Sequence, residues 1–234
     1  MNCLITHQQL MLIGGLGLLF ILIGMRMTCE VGTPTDLPNG FKRAGLSLQL
    51  PRNKEDVVKT IGPENSLIRK ELQANTNRDF VFILSYTIFL VALSVVLSQV
   101  NSPLAKWLGL LAAIFAVGAA AFDFTENCRM LQVLSTPSEN ITNAAASGIR
   151  MASLVKWTLF FLTIGVQSII LLKLMNVYSL FGIAMLIAAI VGLVGLRFNQ
   201  LLPLGSVVFG VAVLVLSFVF LFKPTHFLDK ICLR

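Results

Sequence analysis

Three carboxylates, one lysine and a few neutral hydrogen-bonding side chains hold whatever chemistry this 234-residue chain carries. Asp123, Glu126 and Asn127 stand at offsets of three and four, which puts them on one face of a helix. Arg78 and Asp79 precede Tyr86, and the seven-residue step from Asp79 to Tyr86 again keeps one face. Lys156, Thr163 and Gln167 follow at offsets of seven and then four. Gln167 therefore lies roughly 16 Å beyond Lys156 along the axis, at 1.5 Å per residue. All of these residues sit in or beside long apolar runs. Ionisable groups facing the interior of a membrane bundle are expensive, usually paired, and candidates for function. The expected pairs are Asp123 or Glu126 with Lys156, and Asp79 with Arg78 or Arg129. Tyr86, Thr163 and Gln167 are placed to hydrogen-bond a ligand or to bridge helices. A structural reading competes: the charged residues lie within about one turn of a membrane boundary, where water lowers their cost and ion pairs can simply lock helix register.

Other chemistries find little support. Asp79, Asp123 and Glu126 offer oxygen ligands suited to Mg²⁺ or Ca²⁺, but Glu-x-x-His pairs of the di-iron bundles are absent. No P-loop, G-x-S-x-G, H-E-x-x-H or G-x-G-x-x-G occurs, and Gly14-Gly15-Leu16-Gly17 lies inside an apolar run, where it serves packing or flexibility. Cys3, Cys29, Cys128 and Cys232 form no C-x-x-C, and His7 and His226 are the only histidines. No catalytic residue, metal or cofactor is assigned. The net charge of +7 comes from Lys and Arg that flank apolar runs, where lipid headgroups account for them better than nucleic acid does.

The elements that must position the polar residues are membrane helices. Hydrophobic residues make up 56% of the chain and charged ones only 12%, against about 25% in ordinary soluble domains. Six apolar runs are long enough to approach or span a hydrocarbon core of roughly 30 Å. They cover 10–25 (the helix beginning near Ile5), 80–97, 104–122, 157–172, 177–196 and 201–222. The first lacks the basic start and small-residue exit of a cleaved signal peptide, so it is read as a retained span. Turn chemistry separates later runs, as in Asn101-Ser102-Pro103 and Asn199-Gln200-Leu201-Leu202-Pro203.

The fold class expected is an all-α integral membrane protein of about six transmembrane helices, with a small cytoplasmic helical insert after the first. The divisions are 1–27 for the first helix, 28–78 for the insert, 79–222 for a five-helix bundle and 223–234 for a basic tail. Within the insert, residues 33–40 read as loop. Leu46, Leu48 and Leu50 alternate, which suits a short strand or a segment lying on the membrane. Asn53 with Asp56 marks a helix start and Gly62-Pro63 its end. A second helix from Glu64 then runs into the next span, making a helical hairpin.

Small residues recur at four-residue spacing in two spans, at Ala184, Ala188 and Gly192 and at Ala112, Ala116 and Ala120, with Ala119 beside them. Such rows let backbones approach closely. Thirteen of the 18 Lys and Arg fall on one side of the membrane, leaving Lys106, Lys173, Lys223, Lys230 and Arg234 on the other. The positive-inside rule then puts the insert in the cytoplasm and both termini outside. The Asn140-Ile141-Thr142 glycosylation pattern would be cytoplasmic and unused.

Asn77-Arg78-Asp79-Phe80-Val81-Phe82-Ile83-Leu84-Ser85-Tyr86, then Asp123-x-x-Glu126-Asn127, then Lys156-Trp157 resemble a pattern in small uncharacterised bacterial multipass membrane proteins. There, Asp-x-x-Phe-Ile-x-x-Tyr opens one helix and Asp-x-x-Glu-Asn closes the next. The resemblance covers about residues 69–175. It implies a bacterial inner membrane and one shared constellation, and brings no activity. The leading functional expectation is a non-enzymatic membrane protein that lies in the bilayer and binds other membrane proteins or organises a complex. The alternatives are a small transporter or ligand carrier using a polar cleft between the second, third and fourth spans, and an enzyme acting on lipid.

Overall fold

The computed structural model describes residues 5–27, 37–174, 177–225 and 227–228. Part of the expected loop (33–36), Cys3, Cys29, Cys232, His226 and the tail charges Lys230 and Arg234 lie outside the described residues. Eight α-helices account for most of the described chain, and no strand occurs among those residues. They are α1 (His7–Met27), α2 (Ala44–Gln49), α3 (Lys54–Ile61), α4 (Leu67–Ser98), α5 (Pro103–Leu134), α6 (Asn143–Lys173), α7 (Val177–Gly195) and α8 (Leu202–Phe222). All but α2 and α3 are long and apolar enough to cross a membrane, so the chain is an integral membrane protein with six candidate spans.

Local chemistry sets the helix ends. Thr6 and Gln9 exchange side-chain to backbone hydrogen bonds of 2.8 and 3.2 Å, a capping box that starts α1. Asn53 caps α3 by accepting from the Asp56 amide at 2.9 Å. Gly62 ends α3 with φ of 66°, a conformation that favours glycine. Ser66 and Thr142 cap α4 and α6 in the same way as Asn53. Pro103 opens α5, where a missing amide proton costs nothing. The segment around Leu46 and Leu48 is the short helix α2, with Leu50 just past its end, rather than a strand. Leu48 and Leu50 are both buried, and Leu46 is half-buried.

Lengths decide the architecture. Helices α1, α7 and α8 have 21, 19 and 21 residues, close to the roughly 20 that span the hydrocarbon layer. Helices α4, α5 and α6 have 32, 32 and 31. At 1.5 Å per residue they reach about 48 Å, so each projects beyond the bilayer. Because the three alternate in direction, the polar start of α4, the end of α5 and the start of α6 project at the same end. There α2 and α3 pack onto them. Arg150 of α6 donates to the Leu50 and Pro51 carbonyls, the Lys54 amide donates to Asn143 Oδ1 at 2.9 Å, and Trp157 Nε1 donates to Gln49 Oε1 at 3.3 Å. On the other flank Arg69 donates to the Thr136 carbonyl and to Ser138 Oγ, tying the start of α4 to the α5–α6 connection.

The six long helices form a closed ring in the order α1, α4, α5, α6, α7, α8 and back to α1, with α4 also touching α6 across the middle. The rows of small residues are used inside this ring. Ala112, Ala116, Ala119 and Ala188 are buried, Gly192 receives the Phe161 ring, and Gly205 of α8 lies against the Gly192 backbone of α7. Gly14 and Gly17 let α1 approach Ser217 of α8, whereas Gly15 faces open space. Outward positions such as Leu84, Ile114, Leu180 and Val215 stay exposed and apolar, as a lipid-facing surface requires.

Candidate functional site

The polar cluster forms where α4, α5 and α6 leave the apolar layer. Lys156 reaches from α6 to α5 and donates to Asp123 Oδ1 at 2.7 Å and to Glu126 Oε1 at 2.9 Å. Tyr86 of α4 donates its hydroxyl to the second Asp123 oxygen at 3.0 Å. Asn127 donates Nδ2 to Asp79 Oδ2 at 2.9 Å, linking α5 to α4 a second time. Asp123, Glu126, Asn127, Lys156 and Tyr86 are all buried; Asp79 is only half-buried. The expected pairing of Lys156 with Asp123 or Glu126 is found with both at once. The Lys156 ammonium also lies 5.2 Å from the centre of the Trp157 ring.

Asp79 takes a different partner from either expected one. Its hydrogen bond is to the neutral Asn127, while Arg78 is exposed and donates to Asn75 at 3.4 Å. Arg129 packs over Gly148 of α6 instead. Thr163 is buried but donates to the Leu159 carbonyl of its own helix. Gln167 is a bridge farther along the bundle, donating to the Leu90 carbonyl at 3.0 Å and to Ser94 Oγ at 2.9 Å. Of the nine candidate residues, six therefore gather in one place: Asp79, Tyr86, Asp123, Glu126, Asn127 and Lys156. Arg78, Thr163 and Gln167 stand apart from them. A divalent ion held by Asp123 and Glu126 would need the position that the Lys156 ammonium occupies. Among the described residues, no group of three His, Cys, Asp or Glu side chains is arranged to hold a metal ion.

Beside the cluster lies a cavity of about 520 Å³, within the range of small-molecule sites. Its polar end is formed by Asp79, Tyr86, Asp123, Asn127 and Lys156. The second, third and fourth spans, between which a cleft is expected, supply that end and further lining residues such as Leu72, Thr76, Met130 and Trp157. The remaining walls come largely from α1 and α8, with Phe20, Ile21, Phe209 and Leu214 among them, together with Phe82 and Phe160. Phe20 lies 6.1 Å from Phe209, Phe209 lies 5.4 Å from Phe160, and Phe160 meets Tyr86 edge-on at 5.7 Å. These rings make a continuous aromatic wall. Arg43, Gly45, Leu46 and Gln49 from the start and body of α2 also line the cavity.

The cavity has a side mouth. Helices α1 and α8 touch closely where Gly14 and Gly17 meet Ser217, and nearer the polar end both helices line the cavity. There Met25, Val207 and Val211 line the cavity while remaining 63%, 59% and 57% exposed. An apolar opening on the flank of a membrane helix bundle gives onto acyl chains rather than bulk water. Comparison with known protein families, with curated proteins and with solved structures yields no match.

Proposed function

We propose that this chain binds an amphiphilic small molecule drawn sideways from the bilayer, and acts as an intramembrane ligand carrier. The observation that supports this most directly is the cavity itself. Its walls are apolar and aromatic, its inner end carries fixed charges, and its mouth lies between α1 and α8 on the apolar flank. Such a shape suits a molecule with a polar head and a hydrocarbon tail, the tail leaving through the side. A role in binding partner proteins would draw on the small-residue faces, and those are taken up by helices of the same chain.

Trp157 lines the cavity and Trp107 is exposed on the outer surface, and the chain has no other tryptophan. A Trp107→Phe protein thus reports on the cavity alone. In detergent, short-chain amphiphiles with brominated tails should quench Trp157 saturably. Gly210→Phe should abolish that quenching, because Gly210 lines the cavity and an added Cβ there meets only Ile21, at 3.7 Å. No saturable quenching by any such amphiphile, or an unchanged response in Gly210→Phe, would remove the basis of the proposal.

The polar end of the cavity is placed in the cytoplasm of a bacterial inner membrane under the same proposal. Support comes from the excess of Lys and Arg on that side and from the resemblance noted above. Cys128 is exposed on the projecting part of α5. A membrane-impermeant maleimide should label it in inside-out vesicles and not in intact cells; the reverse pattern would invert the topology.

A further inference from the structure

We infer that the ligand's head is zwitterionic, with an ammonium group bound by Asp79 and a phosphate bound by Arg43, an inference that rests on the cavity reading above. The charges lining the cavity are Asp79, Asp123, Lys156 and Arg43, two of each sign. They are not equivalent. Lys156 is already engaged with Asp123 and with Glu126 behind it, at 2.7 and 2.9 Å, and Tyr86 occupies the other Asp123 oxygen. That leaves one anion and one cation without a direct salt-bridge contact among the described residues, Lys156 attracting Asp79 only from beyond contact distance. Asp79 has only the neutral Asn127 amide as a hydrogen-bond donor, and it lines the cavity while only partly exposed. Arg43 stands at the start of α2, exposed, with no side-chain hydrogen bond or ion pair among those residues.

A purely anionic amphiphile would satisfy Arg43 and face Asp79 uncompensated. A purely cationic one would pair Asp79 and leave the exposed Arg43 unused. Asp79 is mostly screened from solvent, so its charge is costly to leave unpaired, while the exposed Arg43 stands at the rim ready to take an anion; a zwitterionic head engages both. A guanidinium offers a planar fork of donors that matches phosphate oxygens, while a carboxylate accepts from a primary ammonium. The aromatic wall then takes the tails. Aminophospholipids have this combination of groups.

The test uses the full chain carrying Trp107→Phe, with tail-brominated short-chain lipids quenching Trp157. Phosphatidylethanolamine should bind at least tenfold tighter than phosphatidylglycerol, a long-chain alkylammonium or diacylglycerol. Asp79→Asn and Arg43→Gln should each lower phosphatidylethanolamine affinity about tenfold while leaving the weaker diacylglycerol response unchanged. Free phosphoethanolamine should compete only at far higher concentration, since it lacks tails. Equal affinity for all heads, or a phosphatidylethanolamine preference that survives both substitutions, would overturn the zwitterion and leave the cavity standing. Tight binding of free phosphoethanolamine would overturn the lipid source. Absence of saturable quenching by every lipid would overturn the cavity reading as well. The ranking of heads in the protein with both charges present decides the matter even where a charge variant fails to fold.

Discussion

Lys156→Met is expected to lower the stability of the folded bundle by about 3–5 kcal/mol, the usual cost of removing one partner from a buried ion pair. Among the described residues, Lys156 is the one cation bonded to the two buried carboxylates Asp123 and Glu126. Methionine keeps the length and apolar stem of the side chain, so the loss reports on charge rather than on a cavity. With total stabilities of roughly 5–15 kcal/mol, such a loss should be visible as a large drop in melting temperature in mild detergent. Neutralising the orphaned acids should restore much of it: Lys156→Met combined with Asp123→Asn and Glu126→Gln should melt well above Lys156→Met alone. The two acids should differ when changed singly. Asp123 uses its two oxygens on two different helices, one for Lys156 of α6 and one for Tyr86 of α4, whereas both Glu126 oxygens face the same Lys156 ammonium at 2.9 Å. Asp123→Asn should therefore be the more damaging of the two. A Lys156→Met protein that melts with the parent, or a triple variant that melts no higher than the single one, would show that the ion pairs contribute little.

This cluster was legible in the sequence because charge in an apolar run is conspicuous. Asp123, Glu126 and Lys156 stand out against their neighbours, and helical spacing was enough to bring them together. The cavity beside them was not legible, for a reason special to membranes. Lipid is as apolar as a protein interior, so burial leaves little mark on composition. Phe20 is buried in the aromatic wall and Leu19 next to it is half exposed, yet both read as equally greasy. For the same reason nothing in residues 10–25 or 201–222 announced that α1 and α8 would wall one side of the cavity. Arg43 was hidden differently: it lies in a hydrophilic stretch where an arginine is unremarked, and only the docking of α2 onto α6 brings it to the cavity. The strand suggested by Leu46, Leu48 and Leu50 rested on three alternating positions, too few to outweigh the helix that buries Leu48 against the projecting ends of the bundle. The Asn53 cap and the Gly62 stop are legible in the sequence because capping is local chemistry and needs no knowledge of tertiary contacts.

Gly205→Ala is expected to be a severe single methyl addition at the α7–α8 contact, and to damage both packing and binding. A Cβ at Gly205 would lie 2.7 Å from the Gly192 nitrogen, 2.8 Å from its Cα and 3.0 Å from the Ala188 carbonyl oxygen. All three are backbone atoms, so no rotamer change can relieve the contact and α7 and α8 must move apart. Overpacking of this kind costs about 1–3 kcal/mol, and more where rigid helices are the obstacle. Gly15→Ala provides the matched control, because nothing lies within 4 Å of a Cβ there. At Gly15 the alanine should be neutral, or stabilise by up to about 1 kcal/mol through helix propensity. The difference between the two melting temperatures then isolates the α7–α8 contact from propensity. Gly205 also sits between Pro203 and Ser206, which line the cavity near its mouth. Displacing α8 should therefore weaken quenching of Trp157 by brominated amphiphiles at temperatures where Gly205→Ala is still folded. If Gly205→Ala melts no lower than Gly15→Ala, the close approach of these two helices does not hold the ring together. If it melts lower but quenches normally, the mouth of the cavity does not depend on the position of α8.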